Sequence, residues 1–330
     1  MTAAAFIPDL AAVRAAAQRL EGVVIRTPLL ESAALNTCVG GRVLIKPELL
    51  QRTGSFKFRG AYNRLVQLSS AERAAGVVAW SSGNHAQGVA AAASILGIQA
   101  RIVMPADAPR IKLERTRSYG ADVVTYDRFR ESREEIGAAL AAKTGAIIVP
   151  PYDDPHIVAG QGTAGLEIVE DAARLGAMPD AVLVPASGGG FVAGVALAFS
   201  TLPQPPSICC VEPEGFDDHR RSLVAGARVA NAAGGAPTIC DALMAPTPGE
   251  ITFAVNRRLL AGGLAVGDAE VEAAMRFAFE ELKLVVEPGG AVALAALLSG
   301  KIDAHGKTIA LVLSGGNVDP VFFAKVIAAA

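Results

Sequence analysis

Aromatic side chains are scarce: Phe, Trp and Tyr make up 5% of the 330 residues, with a single Trp. Ala and Val supply much of the apolar content instead. That composition suits small side chains packed between helices and strands rather than a β-sandwich. Cysteine is nearly missing too. Cys38, Cys209, Cys210 and Cys240 form no CxxC or other zinc spacing, which excludes a zinc ribbon and a disulfide scaffold. The vicinal pair lies in an apolar, strand-like run and reads as buried, reduced thiols of a cytoplasmic protein. Neither sign of charge dominates. With 30 Lys+Arg against 32 Asp+Glu, nothing favours a nucleic acid or an anionic membrane as partner. The longest apolar run near the C-terminus, residues 291–298, falls far short of the ~20 residues that span a bilayer. The apolar N-terminal stretch is interrupted by Pro8, Asp9 and Arg14. It reads as an amphipathic helix capped at Asp9, not as a leader peptide. No internal repeat or low-complexity tract occurs.

What is present is core material. Hydrophobic residues reach 52% and charged residues only 19%, enough for a large interior and about two domains. From about residue 76, short β-branched runs alternate with longer helical stretches. The pattern predicts strands at 77–80, 101–104, 122–126, 146–150, 181–185, 207–211 and 308–313. Helices are predicted between them at 84–96, 110–119, 130–143, 155–174 and 190–200, with a last one at 320–329. Strands of four or five residues that are apolar on both faces belong in parallel sheets covered by helices. The expected fold class is therefore α/β, open and wound on both faces.

Ligands in such folds collect where strands hand over to helices, and four such junctions carry unusual residues. In Ser55-Phe56-Lys57-Phe58-Arg59-Gly60, a lysine flanked by phenylalanines is partly desolvated. Its lowered pKa suits attack on a carbonyl, although an isolated FKF also suits a snorkelling surface lysine. Ser81-Ser82-Gly83-Asn84-His85 opens a helix with small donors, as a carboxylate site would and as an ordinary helix cap also does. Ser187-Gly188-Gly189-Gly190-Phe191 lets several backbone N–H groups wrap an anion, and phosphate is its natural occupant. It is neither a Walker loop nor a dinucleotide fingerprint. Ser314-Gly315-Gly316-Asn317 adds a neutral hydroxyl after the final strand. Together these are the parts needed to hold pyridoxal phosphate and an amino acid.

In order and wording, SFKFRGA, SSGNHAQG, PASGGGFVAG and LSGGNVD resemble the fold-type II pyridoxal-phosphate enzymes, in the threonine/serine dehydratase and serine racemase group. The resemblance runs from about Arg26 to Asp319. It implies two mostly parallel sheets of the tryptophan synthase β kind. Residues 1–68 and 152–330 would form a large cofactor-binding domain, and 69–151 a small mobile domain that closes on substrate. It implies that Lys57 carries the cofactor and acts as the base at Cα. Phe56, Ser187, Gly188, Gly189, Gly190 and Phe191 would surround the cofactor, with Asn84 at its phenolic oxygen and Ser314 at its ring nitrogen. Ser81, Ser82, Asn84 and His85 would hold the substrate carboxylate, and Ser82 matches the second acid/base of racemases. Tyr152 stands where racemases commonly have Asn, which is closer to a dehydratase.

Glu212, the Phe216 carbonyl and Asp218 resemble the family's Mg2+ or Ca2+ site, in a segment that is otherwise a solvated acidic turn. The implied activity is β-elimination from L-threonine or L-serine. Alternatives are racemisation, or a specialised substrate such as 3-hydroxyaspartate, phenylserine or a hydroxyectoine-derived compound. Hydroxyaspartate would need a further cation, for which Arg133, His219 and Arg220 are candidates. A non-catalytic binding protein would not need Lys57. The resemblance also implies a homodimer with a small amino-acid substrate, and no room after Ser314 for a regulatory domain.

Overall fold

Alternate residues of each central strand face opposite sides of a sheet, and here both sides are apolar. In the computed structural model, which describes residues 6–81, 83–108, 110–127, 129–232 and 237–329, the strands are β1 (Arg42–Pro47), β2 (Val77–Trp80), β3 (Ala100–Pro105), β4 (Asp122–Tyr126), β5 (Ile147–Ile148), β6 (Ala181–Pro185), β7 (Ser207–Pro213), β8 (Gly262–Val266) and β9 (Thr308–Leu313). They form a five-stranded sheet in the order β1-β9-β6-β7-β8 and a four-stranded sheet in the order β4-β3-β2-β5. Every pairing in both sheets is parallel. In β9, Ile309, Leu311 and Leu313 enter one core cluster while Ala310 and Val312 enter another on the opposite face. This two-sided burial is what parallel strands require.

The predicted strands are all present, with small shifts at their ends. Two further strands, β1 and β8, lie outside the predicted alternation. β1 is masked in the sequence by Lys46, a charge that is fully buried and paired. β8 is masked by its opening Gly262-Gly263. The N-terminal helix Leu10–Leu20 is capped as expected, Asp9 accepting from the Ala12 N–H at 2.9 Å. Among the described residues, no helix is long and apolar enough to cross a membrane.

The helix Lys57–Leu65 packs against helices Asn84–Leu96 and Pro155–Arg174. Its anchor is ionic. Arg59 is fully buried and donates to both oxygens of Glu48, at 2.7 and 2.8 Å, and to both of Glu167, at 2.7 and 2.9 Å. Lys46 donates to Glu167 at 2.5 Å and to the Thr27 carbonyl at 2.7 Å, and Thr27 donates to Glu48. Burial alone would raise the Glu48 carboxyl, but Arg59 beside it holds it below the ordinary carboxylate range. Two cations and two anions thus balance in a dry site. Removing one of them leaves an uncompensated buried charge. Arg59→Met should therefore destabilise the protein by roughly 3–5 kcal/mol in urea unfolding. A loss below about 1 kcal/mol would mean that the network is not stabilising.

Candidate active site

One pocket collects the carboxyl ends of strands from both sheets. Trp80 ends β2 and Ser81, Gly83, Asn84 and His85 follow it, the run from Pro185 to Phe191 spans the end of β6 and the helix after it, and Ser314 follows β9. An antiparallel bridge between Ser55 and Gly315 sets the Lys57 segment beside Ser314, and Phe56 N–H donates to the Ser314 carbonyl at 3.2 Å. Lys57 Nζ donates to the Pro151 carbonyl at 2.7 Å and stands 5.2 Å from the Phe56 ring. Burial, with no anion to offset it, pushes the Lys57 amine down to about 8. Of its two flanking rings, Phe58 turns fully into the core, while Phe56 stacks on Phe191 with centroids 3.9 Å apart.

The glycine loop is held from behind. Thr252 Oγ1 donates to the Gly188 carbonyl at 2.6 Å, and Asn256 Nδ2 donates to the Gly189 carbonyl at 3.1 Å. In a planar trans peptide the N–H points opposite to the C=O. With these carbonyls tied back, the N–H groups of Gly189 and Gly190 face the other way, at the start of the helix Gly190–Phe199. That is an anion cradle strengthened by the helix dipole. Gly189 has φ +88°, and a Cβ there would lie 2.3 Å from His219. A Cβ on Gly188 would lie 2.3 Å from the Tyr152 ring, so Tyr152 lies directly against the loop. Ser187 Oγ accepts from the Ala245 N–H at 3.1 Å. The donor cradle, the lowered-pKa amine of Lys57 and the three glycines of the loop fit pyridoxal phosphate.

Ser81 Oγ accepts from Gly83 N–H at 3.1 Å at the pocket wall. Ser82 lies outside the described residues. His85 lines the pocket but is 2% exposed, with Nε2 against the Val149 carbonyl at 3.0 Å and Nδ1 without a partner. Burial, and then the Lys57 charge, push it down to about 3. It is a neutral ring whose N–H is spent on the backbone, so any donor it offers a carboxylate is its main-chain N–H.

Arg133, at the start of helix Arg133–Thr144, lines the pocket while pairing with Glu134 at 2.8 Å. His219 and Arg220 are not on this wall: His219 is buried behind the loop, and Arg220 is tied to Asp217. Four further polar residues near the site were not singled out by sequence reasoning. Lys112 pairs with Asp241 at 2.9 Å, and Glu287 and Asn317 both bond to Asn84. The only sequence signal for Glu287 is a lone acid following the apolar run Leu284-Val285-Val286.

Glu212, Phe216 and Asp218 lie together at the end of β7, away from this pocket. Glu212 accepts from the N–H groups of His219 and Arg220 at 3.1 and 2.8 Å. Asp218 Oδ1 accepts from Asn231, while its Oδ2 is buried without a partner. Burial and then Asp218 push Glu212 well above the usual carboxylate range, and burial pushes Asp218 up to about 6. Two crowded carboxylates with an orphaned oxygen fit a hard cation. Among the described residues, no cluster of three or more His, Cys, Asp or Glu side chains is present, so a backbone carbonyl would have to contribute.

Known proteins are similar to this chain in sequence and fold. Residues 20–315 match the family model described as "Pyridoxal-phosphate dependent enzyme". An L-threo-3-hydroxyaspartate ammonia-lyase from a Pseudomonas species is 46% identical, over 92% of this chain and 93% of that protein. An L-threonine ammonia-lyase from Thermotoga maritima is 43% identical, over 93% of this chain and 75% of that protein. The structure of maize serine racemase superposes with a TM-score of 0.91 at 36% identity, covering 97% of each chain. That of a threonine deaminase from T.th. does so with a TM-score of 0.89 at 44% identity, covering 94% of this chain and 99% of that one. Family match, fold and pocket agree, and the chain belongs to the pyridoxal-phosphate dependent enzymes.

Proposed function

We propose that this chain is an ammonia-lyase that removes the β-hydroxyl of a small amino acid such as L-threonine or L-serine, giving a 2-oxo acid and ammonia. The observation that carries the reading is a low-pKa lysine, an anion cradle and a neutral serine hydroxyl converging on one pocket. Pyridoxal phosphate, when bound, supplies the aldehyde for the amino group and a ring that takes up the electron pair at Cα. Gly189 and Gly190 N–H groups and Ser187 would hold its phosphate, Asn84 its phenolic oxygen and Ser314 its ring nitrogen, with Phe56 and Phe191 alongside. Ser314 Oγ, being uncharged, favours an unprotonated ring nitrogen. That limits the lifetime of charge at Cα and favours prompt loss of a β-leaving group. Lys57 Nζ takes the Cα proton, and the neutral His85 beside it adds no competing charge. Ser81 and the N–H groups opening helix Asn84–Leu96 hold the substrate carboxylate.

Residues 69–151 are read as a smaller body that closes over the substrate and excludes water. Bonds that reach from it to the rest of the chain include Lys112–Asp241, Arg115–Asn317, Asn84–Glu287 and Asn317–Asn84. Glu212, the Phe216 carbonyl and Asp218 are read as holding Mg2+ or Ca2+ in a structural role. A cytoplasmic homodimer completes the reading, consistent with four free cysteines.

A second reading is favoured by Arg133. A guanidinium on the wall suits a substrate with a further carboxylate, and two relatives are named for L-threo-3-hydroxyaspartate.

Four outcomes are expected. Cofactor-free protein should capture pyridoxal phosphate about tenfold faster per pH unit up to about pH 8 and level off above it, because only the neutral amine attacks. A pH-independent rate would remove Lys57 from that role. A substrate panel scoring 2-oxo acid release and chiral inversion together should show release outpacing inversion. In the same panel, Arg133→Gln should raise KM for 3-hydroxyaspartate roughly tenfold and leave serine unchanged; equal effects on both would remove the second reading. Chelation should lower the melting temperature, and Mg2+ or Ca2+ should restore it. No shift, with no divalent ion copurifying, would mean that the buried Glu212–Asp218 pair holds no cation.

A further inference from the structure

A half-buried polar chain runs from the edge of the pocket to the helix Arg110–Ser118. Its far end is Arg115, whose Nη1 donates to Asn317 Oδ1 at 2.9 Å. Asn317 Nδ2 donates to the Thr53 carbonyl at 2.7 Å and to Asn84 Oδ1 at 2.8 Å. Asn84 Nδ2 donates to Glu287 Oε1 at 2.5 Å.

The direction of this chain is dictated by chemistry. Arginine can only donate and a carbonyl can only accept, so Asn317 has one orientation. Asn317 therefore offers an N–H to Asn84, which must present its oxygen there and its nitrogen to Glu287. One N–H of Asn84 is spent on the carboxylate, and only the other remains for the pocket. Gly315 makes this possible: a Cβ there would lie 2.1 Å from Glu287 Oε1 and 3.1 Å from Asn84 Nδ2.

Glu287 stands at the N-cap position of the helix Pro288–Leu298, makes no side-chain capping bond there, and is 3% exposed. Lys112 faces it from helix Arg110–Ser118, and Asp241 from the turn after Cys240. These two pair with each other at 2.9 Å, so little net charge reaches Glu287 from them. Burial holds the Glu287 carboxyl up at about 7, with Lys112 opposing the rise.

We propose that Glu287 is a positioning residue for the cofactor: it fixes the direction and donor strength of the Asn84 amide, and its ionisation is thereby read out in the electronic state of the bound ring. The proposal rests on the reading of Asn84 as the donor to the cofactor's phenolic oxygen. An ionised Glu287 places a negative charge one amide away from that oxygen and weakens the remaining N–H as a donor. The neutral carboxylic acid relieves both effects.

The test is the absorption spectrum of the holoenzyme against pH, for the wild type, Glu287→Gln and Asn84→Ala. The wild-type ratio of visible to near-ultraviolet bands should change about threefold with an inflection near pH 7. In Glu287→Gln, a carboxamide that can accept from Asn84 but never ionises, that inflection should vanish while the melting temperature stays close to wild type. Asn84→Ala should move the bands at every pH. Bands moved by Asn84→Ala, with the wild-type inflection intact in Glu287→Gln, would overturn the role of Glu287 alone. Bands unmoved by Asn84→Ala would overturn the underlying reading of Asn84, and the proposal with it. Should Glu287→Gln not retain cofactor, Glu287→Asp decides. It keeps the charge but withdraws the oxygens by one methylene, so its bands should move toward those of Asn84→Ala, and a wild-type spectrum would overturn the proposal.

Discussion

Two carboxylates and two cations are enclosed together beneath the helix that begins at Lys57. Arg59 lies two residues from Lys57 and grips Glu48, just after β1, and Glu167, in the middle of helix Pro155–Arg174. The reactive amine is therefore registered against the sheet edge and the longest helix through one side chain. Hydrophobic contacts alone would leave that helix free to slide by small steps. Charge-assisted bonds with fixed fork geometry do not. The glycine loop is likewise tied by the Thr252 and Asn256 side chains, and the Ser314 segment by backbone pairing.

Around the amine, burial acts on two basic groups at once. Lys57 is pushed down to about 8 and His85 to about 3. The histidine is the more deeply enclosed, and its N–H is committed to a main-chain carbonyl. Of these two basic groups, only Lys57 titrates near neutrality.

Much of this was legible in the sequence. β2, β6 and β9 were readable because their β-branched runs end at Ser- and Gly-rich junctions, and those junctions are where the pocket forms. What was hidden shares a physical cause: polar groups whose partners are remote in sequence. Lys46 and Arg59 look like surface charges until Glu48 and Glu167 surround them. Glu287 looks like a helix cap until Asn84, far along the chain, turns its amide toward it. His85 was visible as part of a cluster, but the inward turn of its ring depends on Val149 on the neighbouring segment. Local pattern reports strand and loop chemistry well; it carries no information on which buried charges meet.

The order of strands in the larger sheet bears on how the chain is made. β9 lies between β1 and β6, with Arg42 opposite Thr308 and Ala181 opposite Ile309. The smaller sheet draws only on residues between Val77 and Ile148. A ribosome delivering this chain from its N-terminus releases everything the smaller sheet needs early. β1 and β6 must then keep facing backbone edges unpaired until residue 313 has emerged. Exposed parallel edges held open for that long are templates for association. The nascent chain is therefore most exposed to misassembly in the interval between the emergence of β6 and that of β9.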